Sequence, residues 1–138
     1  MHKYGTLPHM RYMGIDFGSK RVGVALSDES GRMAFPHTVL PNDGSLFSTL
    51  EQIIEKEGVE IVVVGHSLNG SQEENPIHHA VEAFIGDLTL KTGLPIHLEP
   101  EQYTTMEALR IQDRTDMTDA SAAAIILNSY LTKHTQSS

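Results

Sequence analysis

"YMGIDFGSKRVGVALSD" (residues 12–28) is the stretch that decides the fold. Two short runs rich in Tyr, Ile and Val flank "FGSK", the pattern of two strands around a tight turn. Alternation along the first run sends Tyr12, Gly14 and Asp16 to one face and Met13, Ile15 and Phe17 to the other. Asp16 thus closes the first strand and faces a turn that carries Lys20 and Arg21. Gly14 is expected to leave open space below it. A structural turn asks only for the glycine, so the acid and the two cations need a further reason.

Working outward, residues 11–16 and 21–28 read as strands, and "MAFPHTVL" (33–40) as a third. Pro36 lies inside that third run, which assigns it to a sheet edge or a bulge. The period then changes. From Ser45, the residues Leu46, Phe47, Leu50, Ile53 and Ile54 recur at helical spacing until Gly58 stops the run. "EIVVVG" (60–65) is a continuous apolar strand of the kind buried on both faces. Asn75-Pro76 opens a helix as cap and first residue, with Ile77, Val81, Phe84, Ile85 and Leu88 on one side. "PIHLE" (95–99) is a further strand. Thr104 and Glu107 form a capping-box signature for a short helix, and a last helix spans about Thr118 to Leu131. The order is βββ-αβ-αβ-αα. It predicts an α/β fold with a mixed five-stranded sheet, a three-strand antiparallel meander followed by parallel strands, flanked by helices.

The chain has 138 residues, enough for one domain with a sizeable core. That domain is expected over residues 10–133, with 1–9 as an N-terminal extension and 134–138 as a polar tail. No run of apolar residues is long enough for a membrane span, and "MHKYGTLPH" has no apolar segment of a secretion signal. The absence of cysteine excludes disulfides and thiolate metal sites and suits a cytoplasmic protein. A formal charge of −8 argues against a general basic face for nucleic acid, so any phosphate contact must be local.

In an open sheet with parallel strands, ligands bind at the carboxyl end of the strands, where Asp16 stands. Later acids that could converge on it are Glu99 and Glu101 in "HLEPEQYTT", and Asp116 and Asp119 in "TDMTDASAAAIIL". Spacing alone separates neither pair. Asp16 could also simply cap its turn, and Asp119 could simply meet the positive end of a helix dipole. The small residues Ala120 to Ala124 would let that helix approach the sheet closely. Three carboxylates without cysteine or a zinc-spaced histidine pair suit Mg²⁺ or Mn²⁺, and two such ions suit phosphodiester hydrolysis. Lys20 and Arg21 would then meet substrate phosphate, although either alone reads as a solvated turn residue. His66 could serve as a proton shuttle, and Ser67 and Asn69 could touch substrate; each is otherwise a polar loop residue.

"MGIDFGSKRVGVALSD", "VVVGHSLNGS", "EPEQYTTMEA" and "TDASAAAIILNSYL" together resemble the motifs of the YqgF (RuvX) family. These are small RNase H-like proteins described as Holliday junction resolvases or pre-16S rRNA processing nucleases. The resemblance spans about Met10 to Leu131. It implies an RNase H-like fold, a metal-dependent nuclease, and three metal-binding catalytic acids that match Asp16, Glu101 and Asp119. It implies nucleic acid as partner, either branched DNA or precursor rRNA, and a monomer or homodimer. The chain departs from the pattern at Pro100-Glu101-Gln102, where a cation is missing. It departs again between Thr105 and Asp119, a short segment with only Arg110 and Arg114 as cations.

Two other readings are open. "GIDFGSKRVGVA" also resembles the first phosphate motif of actin/hexokinase ATPases, but that fold clamps its nucleotide between two domains and this length supplies one. A noncatalytic RNase H-like module that binds nucleic acid or protein would have no need of all three acids.

Overall fold

The computed structural model describes residues 11–18, 20–66, 76–99 and 117–135, apart from the side chains of 66, 76–78, 117–119, 134 and 135. Five strands form one sheet: β1 (Arg11–Phe17), β2 (Arg21–Ser27), β3 (Ala34–Pro41), β4 (Val59–His66) and β5 (Ile96–Leu98). Their order is β3-β2-β1-β4-β5. The first three pair antiparallel as a meander, while β4 runs parallel to both β1 and β5. This is the mixed α/β sheet that the order of periodicities predicts. Among the described residues three helices cover it: α1 (Leu46–Glu57), α2 (Pro76–Thr92) and α3 (Met117–Thr135). The short helix expected after Thr104 lies outside the described residues.

The two faces of the sheet bury different side chains. Met13, Ile15, Val22, Val24, Val62 and Val64 pack under α1 and α2 with Leu50, Phe84 and Leu88. Ring contacts of 4.7 Å (Phe17 to Phe84) and 5.5 Å (Phe47 to Phe84) tie both helices to the end of β1. The opposite face carries Ala25 and Val63 beneath Ala122, Ala123, Ile126 and Leu127 of α3. A strand between two such layers has no polar side, which is why "VVV" at 62–64 interrupts nothing. Each fully buried valine or leucine side chain contributes on the order of 1.5–3 kcal/mol through removal from water.

Element ends follow local chemistry. Gly58 takes a left-handed conformation (φ 71°) and its N–H donates to the Ile54 carbonyl, closing α1. Ser45 makes no side-chain cap; instead Asp43 Oδ1 accepts from the Ser45 N–H at 2.9 Å and hydroxyl at 2.6 Å. β3 is an edge strand, as Pro36 requires, and it is also bulged. Val24 pairs with Thr38 and Ala25 with Pro36, so His37 is the extra residue.

One expectation is overturned. The space at Gly14 is not open, because α3 fills it. A β-carbon there would stand 2.8 Å from both the Ala123 carbonyl oxygen and Leu127 Cβ. Alternation does split β1, with Met13, Ile15 and Phe17 on one face and Tyr12 on the other, but the partner that fills the gap at Gly14 comes from the far end of the chain.

Candidate active site

Asp16 is the described centre of the site. It is a charged residue only 4% exposed, one position before the end of β1. Its register partners are Gly23 on β2 and Gly65 on β4. Paired residues share a face of the sheet, so neither neighbour contributes a side chain beside the carboxylate. Burying a carboxylate this deeply costs several kcal/mol unless charge or hydrogen bonds compensate it. A buried strand-end carboxylate offers hard oxygen atoms of the kind that divalent cations prefer.

The glycines also determine what lies above. Tyr12 and Tyr130 meet at a ring separation of 5.9 Å, and Gly14 meets Ala123 and Leu127. Residue numbers on α3 therefore fall as those on β1 rise, and the helix runs antiparallel to the strand. Two strand residues cover about 6.6 Å, and one turn of helix covers about 5.4 Å. Passing from Gly14 to Asp16 thus corresponds to passing from Ala123 back one turn, to the first turn of α3. Asp119 belongs to that turn. The buried Ala120, Ala122, Ala123 and Ala124 permit the approach, as their size predicts.

Lys20 and Arg21 are both exposed, Lys20 in the turn that leaves β1 and Arg21 as the first residue of β2, not in the turn itself. Asn42, which sequence reasoning passed over, braces that turn: its Nδ2 donates to the Gly18 carbonyl at 2.7 Å and its N–H to the Lys20 carbonyl at 2.9 Å. "PNDG" at 41–44 signals a turn in the sequence, but nothing local tells which backbone it will hold. His66 closes β4 opposite Phe17, with its side chain outside the described residues. Ser67, Asn69, Glu101 and Asp116, and the side chain of Asp119, also lie outside them. Among the described residues no group of three or more His, Asp or Glu side chains gathers as a metal site.

Glu99, which spacing could not separate from Glu101, has a different engagement. Its buried Oε2 accepts from the Ser129 hydroxyl at 3.0 Å and the Lys133 ammonium at 2.7 Å. Both donors belong to the C-terminal half of α3, not to its first turn. A cavity of about 620 Å³ lined by Arg11, Ser27, Asp28 and Phe35 lies at the other end of the β1–β2 pair. No helix among the described residues is long and apolar enough to cross a membrane.

The strand order and the helices on both faces of the sheet define an α/β protein of RNase H-like fold. Among solved structures, Thermus thermophilus RuvC in complex with a Holliday junction substrate superposes with a TM-score of 0.61 at 15% identity. That match covers 92% of this chain and 96% of the other. The yeast mitochondrial Holliday junction resolvase Ydc2 gives 0.55 at 14% identity, over 94% of this chain and 80% of the other. At these identities the likeness is one of fold. The family is given by sequence: the model for RuvX, described as Holliday junction resolvase, matches residues 10–133, and the chain belongs to that family. A relative from Oleidesulfovibrio alaskensis is 35% identical over 132 residues, covering 88% of this chain and 92% of its own length. One from Moorella thermoacetica is 36% identical, over 88% of this chain and 94% of its own. Both carry the name "Putative pre-16S rRNA nuclease".

Proposed function

We propose that this chain is a metal-dependent endonuclease that hydrolyses phosphodiester bonds of nucleic acid, with Asp16, Glu101 and Asp119 as its catalytic acids. The observation that carries the reading is the buried Asp16 carboxylate at the end of β1, flanked by Gly23 and Gly65. Its hard oxygen donors suit Mg²⁺ or Mn²⁺, and the other two acids would complete the ligand set. When bound, such ions supply an activated water and stabilise the leaving oxygen. The residues themselves do the rest: the carboxylates hold position at the strand end, and Lys20 and Arg21 steer the phosphodiester toward it. Membership in a resolvase family and relatives named for pre-16S rRNA support two substrates, a four-way DNA junction and a precursor rRNA end.

The test is cleavage of labelled forms of both substrates, in parallel, with Mn²⁺, Mg²⁺ or EDTA, by wild type and Asp16→Asn. Cutting of one substrate that needs metal is expected. In the variant it should fall by more than the roughly 10–100-fold that loss of an outer-sphere partner costs. A variant that cuts at the wild-type rate removes Asp16 from the chemistry. Binding of either substrate without any cutting selects the noncatalytic module instead.

A further inference from the structure

We infer that Asn42 is a positioning residue for substrate, holding Lys20 and Arg21 where a nucleic-acid phosphate meets the Asp16 end of the sheet. The inference rests on the reading of that end as a nuclease site.

Asn42 bonds the turn on both sides of residue 19. Its side-chain amide donates to the Gly18 carbonyl at 2.7 Å, and its backbone N–H donates to the Lys20 carbonyl at 2.9 Å. The turn it grips is closed tightly, since a β-carbon on Gly18 would stand 2.6 Å from the Arg21 carbonyl oxygen. Asn42 is itself anchored. It follows Pro41, the register partner of Arg21 on β3, and precedes Asp43, whose carboxylate and carbonyl fix the first residues of α1. Asp43 is held below the ordinary carboxylate pKa by the Ser45 hydroxyl and N–H, so this anchor is charged at neutral pH. One side chain thus ties the edge strand and α1 to the backbone that carries two cations.

That tie matters because the cations are few. The chain has 10 Lys and Arg against 18 Asp and Glu, so phosphate affinity depends on where its cations stand rather than on a general field. Lysine and arginine lose much rotamer freedom when they engage a phosphate, and a fixed backbone reduces what else must be ordered. Removing the Asn42 amide leaves the Gly18 carbonyl without that donor and frees one side of the turn. Asn42→Asp is worse, because it sets an acceptor against a carbonyl oxygen.

The experiment measures KM and kcat for the labelled four-way junction and the precursor-rRNA end fragment, and Kd across a salt series in an Asp16→Asn background. Asn42→Ala should raise KM and Kd about 3- to 10-fold, the scale of one hydrogen bond's net contribution. The fall in kcat should be far smaller. The slope of log Kd on log salt should drop by about 1, as for Lys20→Ala. The triple variant Asn42→Ala/Lys20→Ala/Arg21→Ala should bind no worse than Lys20→Ala/Arg21→Ala. A lowered melting temperature with KM and salt slope unchanged would make Asn42 purely structural and overturn the inference while leaving the nuclease reading intact. Unchanged binding in Lys20→Ala and Arg21→Ala would instead overturn the reading of the turn, and the inference with it.

Discussion

Gly14 of β1 and Ala123 of α3 meet backbone to backbone, with 2.8 Å between the place of a Gly14 β-carbon and the Ala123 carbonyl oxygen. A second seat lies one strand over, where a β-carbon on Gly65 would stand 2.6 Å from Ile126 Cδ1. Gly65 is also the β4 register partner of Asp16. The residue that empties the space beside the acid is therefore the residue that lets the helix settle. Together the two glycines let the Ala123–Leu127 stretch of α3 close on the sheet.

Gly14→Ala should consequently damage both stability and cleavage. The obstruction is a backbone carbonyl, which cannot rotate aside as a side chain does, so the helix must shift. The expected loss is about 1–3 kcal/mol, the usual cost of overpacking. Gly86 provides the contrast, for it lies within α2 and nothing stands within 4 Å of its β-carbon position. Gly86→Ala should raise stability by about 0.5–1 kcal/mol through helix propensity alone. Urea unfolding of both variants checks the pair. Equal stability of Gly14→Ala and wild type would mean that α3 is not seated as described.

The Glu99–Lys133 pair predicts an asymmetry. The Glu99 side chain is 5% exposed and the Lys133 side chain 54% exposed. Lys133→Ala leaves a buried carboxylate with Ser129 as its remaining named donor, whereas Glu99→Gln leaves an ammonium that water solvates. Lys133→Ala should therefore lower the melting temperature more, by a few degrees for a loss of about 1 kcal/mol. Metal-dependent cutting should persist in Glu99→Gln. Its loss there would transfer to Glu99 the role given to Glu101.

How much of this was legible depended on whether the information was local. The strands and the facing of Asp16 follow from alternation over a few residues, the two-sided burial of β4 from an unbroken apolar run, and each is found as predicted. Pro36 marked an edge or a bulge for the same reason: its missing N–H breaks a regular central ladder whatever its neighbours are. The filling of the Gly14 gap was not legible, because the Ala123 carbonyl arrives from a helix near the other end of the chain. Glu99 and Glu101 have the same parity and near-identical surroundings in sequence. Only the placement of Ser129 and Lys133 reveals what Glu99 is bound to. Asn42 was missed because a turn-forming asparagine shows its propensity in sequence but not its partner.

Tyr130 predicts how stability responds to alkali. Burial raises its pKa above the ordinary value near 10, and nearby Tyr12 and Glu99 raise it further. The unfolded chain therefore ionises this phenol first as pH rises. The neutral form's contribution is complete below about pH 10 and is lost as pH climbs through the higher folded value. Melting temperature should fall above pH 10, and Tyr130→Phe should flatten that limb. An equally steep fall in Tyr130→Phe would assign the alkaline sensitivity to other groups.

Metal binding by Asp16 can be separated from catalysis by its effect on melting. A ligand that binds only the folded chain stabilises it by RT ln(1 + [L]/Kd), about 2.7 kcal/mol at a hundredfold excess over Kd. Mn²⁺ should therefore raise the wild-type melting temperature in a concentration-dependent way, and EDTA should reverse the rise. Asp16→Asn keeps nearly the same shape at a buried position but offers a neutral amide where hard cations favour a carboxylate oxygen. Its melting temperature should be insensitive to Mn²⁺ over the same range. Because no substrate is present, this result does not depend on which nucleic acid the enzyme cuts. An equal Mn²⁺ shift in both proteins would place the ion elsewhere and leave the burial of Asp16 without its proposed reason.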